Sequence, residues 1–112
     1  MRRVARERRS NQPEKKYWCK IFQTRYDLVG AICDKEILGK EIENKEFKIK
    51  VNKQFYGGVL ISERAAINIM NKVTIGNIIG KEIIAVAKQN GFITGENIIL
   101  IGDVPHAQFV KL

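Results

Sequence analysis

His106 and Asp103 are the first residues in this chain whose types and spacing suggest acid–base chemistry. A neutral imidazole takes a proton from a nucleophile within hydrogen-bond reach, and a carboxylate holds the ring in place. His106 is the chain's one histidine, and no spacing sets a Ser or Cys nucleophile beside it. Nor do Cys19 and Cys33 stand at a ligand spacing from it, so no metal site is expected. The reading is a hydrogen-bonded turn histidine, with no catalytic set, metal or cofactor. Gly76-Asn77-Ile78-Ile79-Gly80-Lys81 invites comparison with a phosphate loop. That loop needs four residues between its glycines and a Ser or Thr after the Lys to reach magnesium; here three residues intervene and Glu82 follows. Two glycines four apart indicate instead a small face approached closely by another element.

The stronger chemical signal is cationic. Met1 to Lys16 holds Arg2, Arg3, Arg6, Arg8, Arg9, Lys15 and Lys16 against only Glu7 and Glu14, a balance of +5 out of the chain's +8. So short a segment with almost nothing apolar cannot repay the entropy of ordering itself, and is expected to stay mobile until a polyanion binds. Each cation reaching a phosphate releases condensed counterions, giving salt-sensitive, sequence-independent affinity. Arginine suits bidentate phosphate contact and stacking on bases, and Arg-rich segments fold onto irregular RNA surfaces, so RNA is expected over duplex DNA. Lys48, Lys50 and Lys53, with Lys45 nearby, would extend this footprint. Tyr17, Trp18, Phe22, Phe55 and Tyr56 are the aromatics on which bases could stack, although the glycine–aromatic signature of an RNA-recognition motif is missing.

A chain of 112 residues with 45% hydrophobic and 29% charged residues is long enough for one core without staples. Its apolar runs are too short to cross a bilayer. No apolar stretch follows the basic start, so neither a signal peptide nor a membrane partner is expected, and the setting is cytoplasmic. Two cysteines fit a reducing compartment. A hairpin turning near Tyr26 would put Cys19 opposite Cys33, which leaves a cross-strand disulfide conceivable beside the plainer reading of two half-buried thiols.

The elements that must position these residues follow from periodicity. Tyr17 to Thr24 is aromatic and β-branched and reads as a strand, Arg25 to Asp27 as a turn, and Leu28 to Cys33 as a returning strand buried on both faces. Asp34 to Asn44 reads as a turn or a single helical turn. Phe47, Ile49 and Val51 alternate with Lys48, Lys50 and Asn52, a strand with one apolar and one cationic face. Phe55-Tyr56-Gly57-Gly58 breaks it. Ser62 caps a helix with Ala66, Ile69, Met70 and Val73 on one face. Thr74 is expected to cap a second, running to about Asn90, with Ile75, Ile79, Ile83 and Val86 as its stripe. Gly91 fits a left-handed helix end with Phe92 packing back. Asn97 to Ile101 reads as a last buried strand, and Gly102 to Gln108 closes the domain. This predicts an α+β fold: a mixed β-sheet with two helices packed on one face over residues 17–112, behind a disordered basic arm over 1–16.

Cys19-Lys20-Ile21, Cys33-Asp34, Leu38-Gly39-Lys40, Phe55-Tyr56-Gly57-Gly58, Thr74 to Gly80, and the closing Gly102-Asp103-Val104-Pro105-His106-Ala107-Gln108 stand in this order along the chain. Together these landmarks resemble a small archaeal family of unknown function, number 424 in the domain-of-unknown-function series. The resemblance spans Trp18 to Gln108 and excludes the arm. It implies an archaeal, cytoplasmic α+β protein, loosely associated with translation genes, and brings no established activity, cofactor or catalytic residue. Because the landmarks concentrate in Gly-rich loops, Phe55, Tyr56, Gly57, Gly58, His106 and Gln108 are the candidates for a shared surface. The leading expectation is an RNA-binding protein on or near the ribosome, its arm on ribosomal RNA and its domain on RNA or ribosomal proteins. The alternatives are a small-ligand protein or enzyme using the Phe55–Gly58 and Asp103–Gln108 loops, and an adaptor for an acidic protein.

Overall fold

A computed structural model describes residues 14–46 and 48–112. The expected α+β architecture is present: a six-stranded mixed sheet with two helices on one face. Strand β1 (Lys15–Gln23) alternates as its composition dictates, with Tyr17 and Cys19 buried on one face and Trp18 and Phe22 half-buried on the other. It turns at Thr24 to Asp27, where the Thr24 N–H donates to the Asp27 carbonyl at 2.8 Å. β2 (Leu28–Asp34) returns antiparallel and is buried from Gly30 to Asp34, because it has a strand on each side and a layer on each face.

The register of this hairpin corrects the cysteine expectation. Cys19 pairs with Ile32, and Cys33 with Trp18. A one-residue offset sends the two thiols to opposite faces, so they stand in separate cores and both are free.

After one 3-10 turn (Lys35–Ile37), where a helical turn was allowed for, the chain forms an unexpected strand β3 (Glu41–Glu43) that pairs with β4 (Lys48–Lys50). These two make a separate ribbon outside the main sheet. The predicted alternation survives in β4, with Ile49 inward between exposed Lys48 and Lys50, and Val51 is buried just beyond. Phe47, expected on the apolar side, lies outside the described residues. Phe55 and Tyr56 do more than break a strand: they end a short helix α1 (Lys53–Tyr56), followed by edge strand β5 (Val59–Ser62). Ser62 then caps α2 (Glu63–Lys72) as expected, its Oγ accepting from the Ala65 N–H at 3.2 Å.

The expected second helix is divided. Its first part is β6 (Ile75–Ile79), parallel to β2 in the middle of the sheet; only α3 (Lys81–Gln89) is helical. The helical stripe of Ile75, Ile79, Ile83 and Val86 concealed that Ile78 and Ile79 are buried on opposite faces, which a strand achieves and a helix does not. Gly76 fits this reading, since a Cβ there would lie 2.2 Å from the Phe109 ring. Gly91 has the expected positive φ of 79°, and Phe92 packs back to stack on Phe109 at 5.7 Å. β7 (Ile98–Ile101) is an exposed edge instead of a last buried strand, and the closing segment is itself a strand, β8 (Val104–Val110).

The sheet order is β5-β1-β2-β6-β8-β7, antiparallel throughout except for β2 with β6. One face packs Tyr17, Ile32, Ile78 and Phe109 against Ala66, Met70, Ile83 and Ala87 of α2 and α3. The opposite face packs Ala31, Cys33 and Ile79 against Val51 and Tyr56, with Leu38, Ile42 and Ile49 at the margin. A second apolar layer under the ribbon and α1 is what makes the sheet core two-sided.

Candidate functional site

The site is built on that second face. Asn52 starts α1 by accepting from the main-chain N–H groups of Gln54 at 2.7 Å and Phe55 at 3.0 Å, satisfying donors that a first helical turn leaves unpaired. Gly58 then passes so near β1 that a Cβ would lie 2.2 Å from the Cys19 carbonyl oxygen, which is why a glycine stands there. Together these features press the aromatic pair onto the sheet. Phe55 stacks on Phe22 at 5.3 Å and meets the Tyr56 ring edge-on at 4.8 Å. The buried Tyr56 hydroxyl donates to Asn77 Oδ1 on β6.

His106 meets the same oxygen. It lies on β8 rather than in a turn, and its Nε2 is 3.0 Å from Asn77 Oδ1. An oxygen that receives both bonds makes Nε2 the protonated ring nitrogen and leaves Nδ1 an acceptor. Burial holds the imidazole pKa below its usual 6.5 and keeps the ring neutral, and burial likewise pushes the Tyr56 hydroxyl well above the ordinary phenol range. Gln108 is exposed two residues on, directly opposite Asn77 in the register. So the 55–58 and 103–108 segments converge, through a residue that sequence reasoning placed inside a helix. Asn77 reaches Tyr56 and His106 because Ile75–Ile79 is a strand beside β8. Asp103 does not join the trio; it lines a separate cleft of about 430 Å³ with Asp34, Gly80 and Lys81.

Asp34 was also missed. Its buried carboxylate accepts from the main-chain N–H groups of Glu82 and Ile83, both at 2.9 Å, and so closes the start of α3 from across the sheet. Burial, joined by the nearby Glu82 and Glu36 carboxylates, holds its pKa above the ordinary carboxylate range despite those two bonds. Lys20 is a further cation, one that periodicity and charge runs do not single out. It shares the face of Trp18 and Phe22, a parity readable from the strand; its Nζ donates to the Gln54 carbonyl at 2.8 Å and lies 5.4 Å from the Phe22 ring centre.

The predicted nucleic-acid residues fall into three groups. Arg2, Arg3, Arg6, Arg8 and Arg9 lie outside the described residues. Lys15 and Lys16, grouped with the arm in the sequence, are exposed at the start of β1. Lys48 and Lys50 are exposed but directly opposite Glu43 and Glu41 across the ribbon, so their charge is locally balanced; Lys53 opens α1. Among the described residues no group of three or more His, Cys, Asp or Glu could hold a metal ion, and no helix is long and apolar enough to cross a membrane.

These features define the chain as an α+β domain with a polar trio set into the face of a mixed sheet. It belongs to the family described as "Protein of unknown function (DUF424)", whose model matches residues 22–112. Among solved structures it is similar to an uncharacterized conserved protein from Methanopyrus kandleri, at 26% identity and a TM-score of 0.73, covering 87% of this chain and 94% of that one. No curated protein matches the chain.

Proposed function

We propose that the protein binds RNA as a ribosome-associated component, its basic arm contacting ribosomal RNA phosphates and its folded domain docking on RNA or ribosomal protein. The observation that carries this reading is the division of charge. Seven cations face two carboxylates in residues 1–16, whereas thirteen face ten in the remainder. The ribbon supports the same division, because its lysines are matched by glutamates across the strands. Long-range attraction to a polyanion therefore concentrates at the N-terminus.

The test uses the full chain with Arg2, Arg3, Arg6, Arg8 and Arg9 replaced by Gln. Wild-type protein is expected to sediment with ribosomal particles at low salt and to leave them as salt rises; the variant is expected at the top of the gradient. In binding to single-stranded RNA, the slope of log affinity against log salt should shrink by roughly 0.7 for each phosphate that the variant no longer neutralises. Unchanged sedimentation of the variant removes the reading. Association that survives nuclease treatment supports an acidic protein partner instead.

One observation favours a second reading. The Tyr56 and His106 segments meet on Asn77, which brings part of the two loops together, while Asp103 lines a different cleft. A ligand from a metabolite panel that raises the melting temperature of wild-type protein but not of His106→Ala would establish it.

A further inference from the structure

On the face opposite the helices, the registers align residues in rows across the sheet. Lys20, Ala31, Asn77 and Gln108 form one row. Cys33, Ile79, His106 and Ile99 form the next, and Phe22, Val29, Ile75 and Val110 lie on the other side. The ribbon and α1 cover this face around Cys33, Ile79 and Val104. Past Asn77 and His106 it opens: Gln108 is exposed, with Ile99 at 58% and Val110 at 54% exposure beside it. No charged side chain lies on this face of β6, β7 or β8.

Part of the hydrogen-bonding capacity of this strip is open to solvent instead of being used within the protein. Asn77 Oδ1 is taken by Tyr56 and His106. The Asn77 amide N–H groups, the His106 Nδ1 lone pair and the Gln108 amide have no partner among the described residues. The Asn77 donors and the His106 acceptor, both held through Asn77 Oδ1, complement a neutral, planar edge that itself carries neighbouring donors and acceptors. Nucleobase edges have this form, and unpaired bases are the usual targets of sequence-specific RNA readers. Ile99 and Val110 offer aliphatic surface to the face of a base. On the β1 side the strip is bounded by α1, which buries Ala31 beneath Tyr56 and takes the Lys20 Nζ on its Gln54 carbonyl.

We infer that Asn77, His106 and Gln108 read an unstacked nucleobase of single-stranded RNA on the open face of the sheet, with Tyr56 as the positioning residue that fixes Asn77. The inference rests on the RNA-binding reading above: the arm supplies affinity and this strip supplies base preference.

The test measures fluorescence anisotropy of the full chain with labelled oligo(A), oligo(C) and oligo(U) of about ten nucleotides, a length typical of single-strand sites. Two variants are compared. Asn77→Asp keeps an oxygen for Tyr56 and His106 but removes the N–H donors; Gln108→Ala alters an exposed side chain only. Wild-type protein is expected to prefer one oligomer over the weakest by about fivefold or more, the discrimination that one or two good base contacts supply. Both variants should bring that ratio to within about twofold, with an unchanged salt slope in Gln108→Ala, which alters no charge. The five-Arg variant should weaken all three complexes alike and preserve the ratio. Equal binding of the three oligomers by wild type, or a preference that survives in both variants, overturns the base-reading inference and leaves RNA binding standing. No binding of any oligomer by wild type overturns both.

Discussion

The carboxylate of Asp34 occupies the space where a side chain at Gly80 would stand. A Cβ on Gly80 would lie 2.3 Å from the Asp34 carboxyl carbon, and Gly80 itself has a φ of 125°. One residue therefore yields the room and the backbone conformation that let the other cap α3. Gly80→Ala is expected to lose about 1–3 kcal/mol from backbone strain alone. Asp34→Ala should lose about 0.5–2 kcal/mol, as other helix-cap deletions do. Asp34→Asn keeps one acceptor but sets its NH2 against the second main-chain N–H, so it should also lose part of the cap. Thermal unfolding distinguishes the three, at about 4–8 °C per kcal/mol for a domain of this size.

His106 gives stability a pH dependence of defined sign. Its folded pKa lies below the unfolded 6.5, so between those values the unfolded chain binds more protons. Its contribution is full above pH 6.5 and is lost as pH falls through 6.5 towards the folded value. Denaturant unfolding across this range, wild type against His106→Gln, should show a decline that the variant lacks. A parallel decline in both would assign it elsewhere.

The two thiols should be inert in the native protein. Burial pushes Cys19 up to about 11 and Cys33 up to about 12, and they face opposite cores. Diamide treatment is expected to leave two free thiols and an unchanged melting temperature. Iodoacetamide should label them at pH 8 only on unfolding.

Gly76 and Phe109 should behave as one unit. Gly76→Ala brings a methyl group to 2.2 Å from the Phe109 ring, so the overpacked core is expected to lose about 1–3 kcal/mol. Adding Phe109→Leu should recover part of the loss, giving a coupling energy above about 0.5 kcal/mol in a double-mutant cycle.

The ribbon lysines should matter less for RNA than the arm arginines. Lys48 and Lys50 face Glu43 and Glu41, so Lys48→Ala with Lys50→Ala removes two cations and leaves two carboxylates with no cation opposite. Its main cost is expected in stability, about 0.2–1 kcal/mol per cross-strand pair. Its reduction in the RNA salt slope should be smaller than that of Arg8→Gln with Arg9→Gln. Equal reductions would place the ribbon in the binding surface.

Composition and local pattern determined the class of fold, the β1–β2 hairpin, the Ser62 cap, the Gly91 helix end and the basic arm, because each depends on neighbours within a few residues. The family resemblance offered Phe55, Tyr56, Gly57, Gly58, His106 and Gln108 as candidates for a shared surface. Tertiary structure decided what depends on long-range pairing. Ile75–Ile79 carries apolar residues compatible with either period, and only burial between β2 and β8 selects the strand. That choice exposes Asn77 to Tyr56 and His106. A one-residue register in β1–β2 separates the cysteines, and a carboxylate 48 positions from the Glu82 N–H it receives caps α3. Sequence fixes which groups can hydrogen-bond; the packing of a two-sided sheet fixes which of them meet.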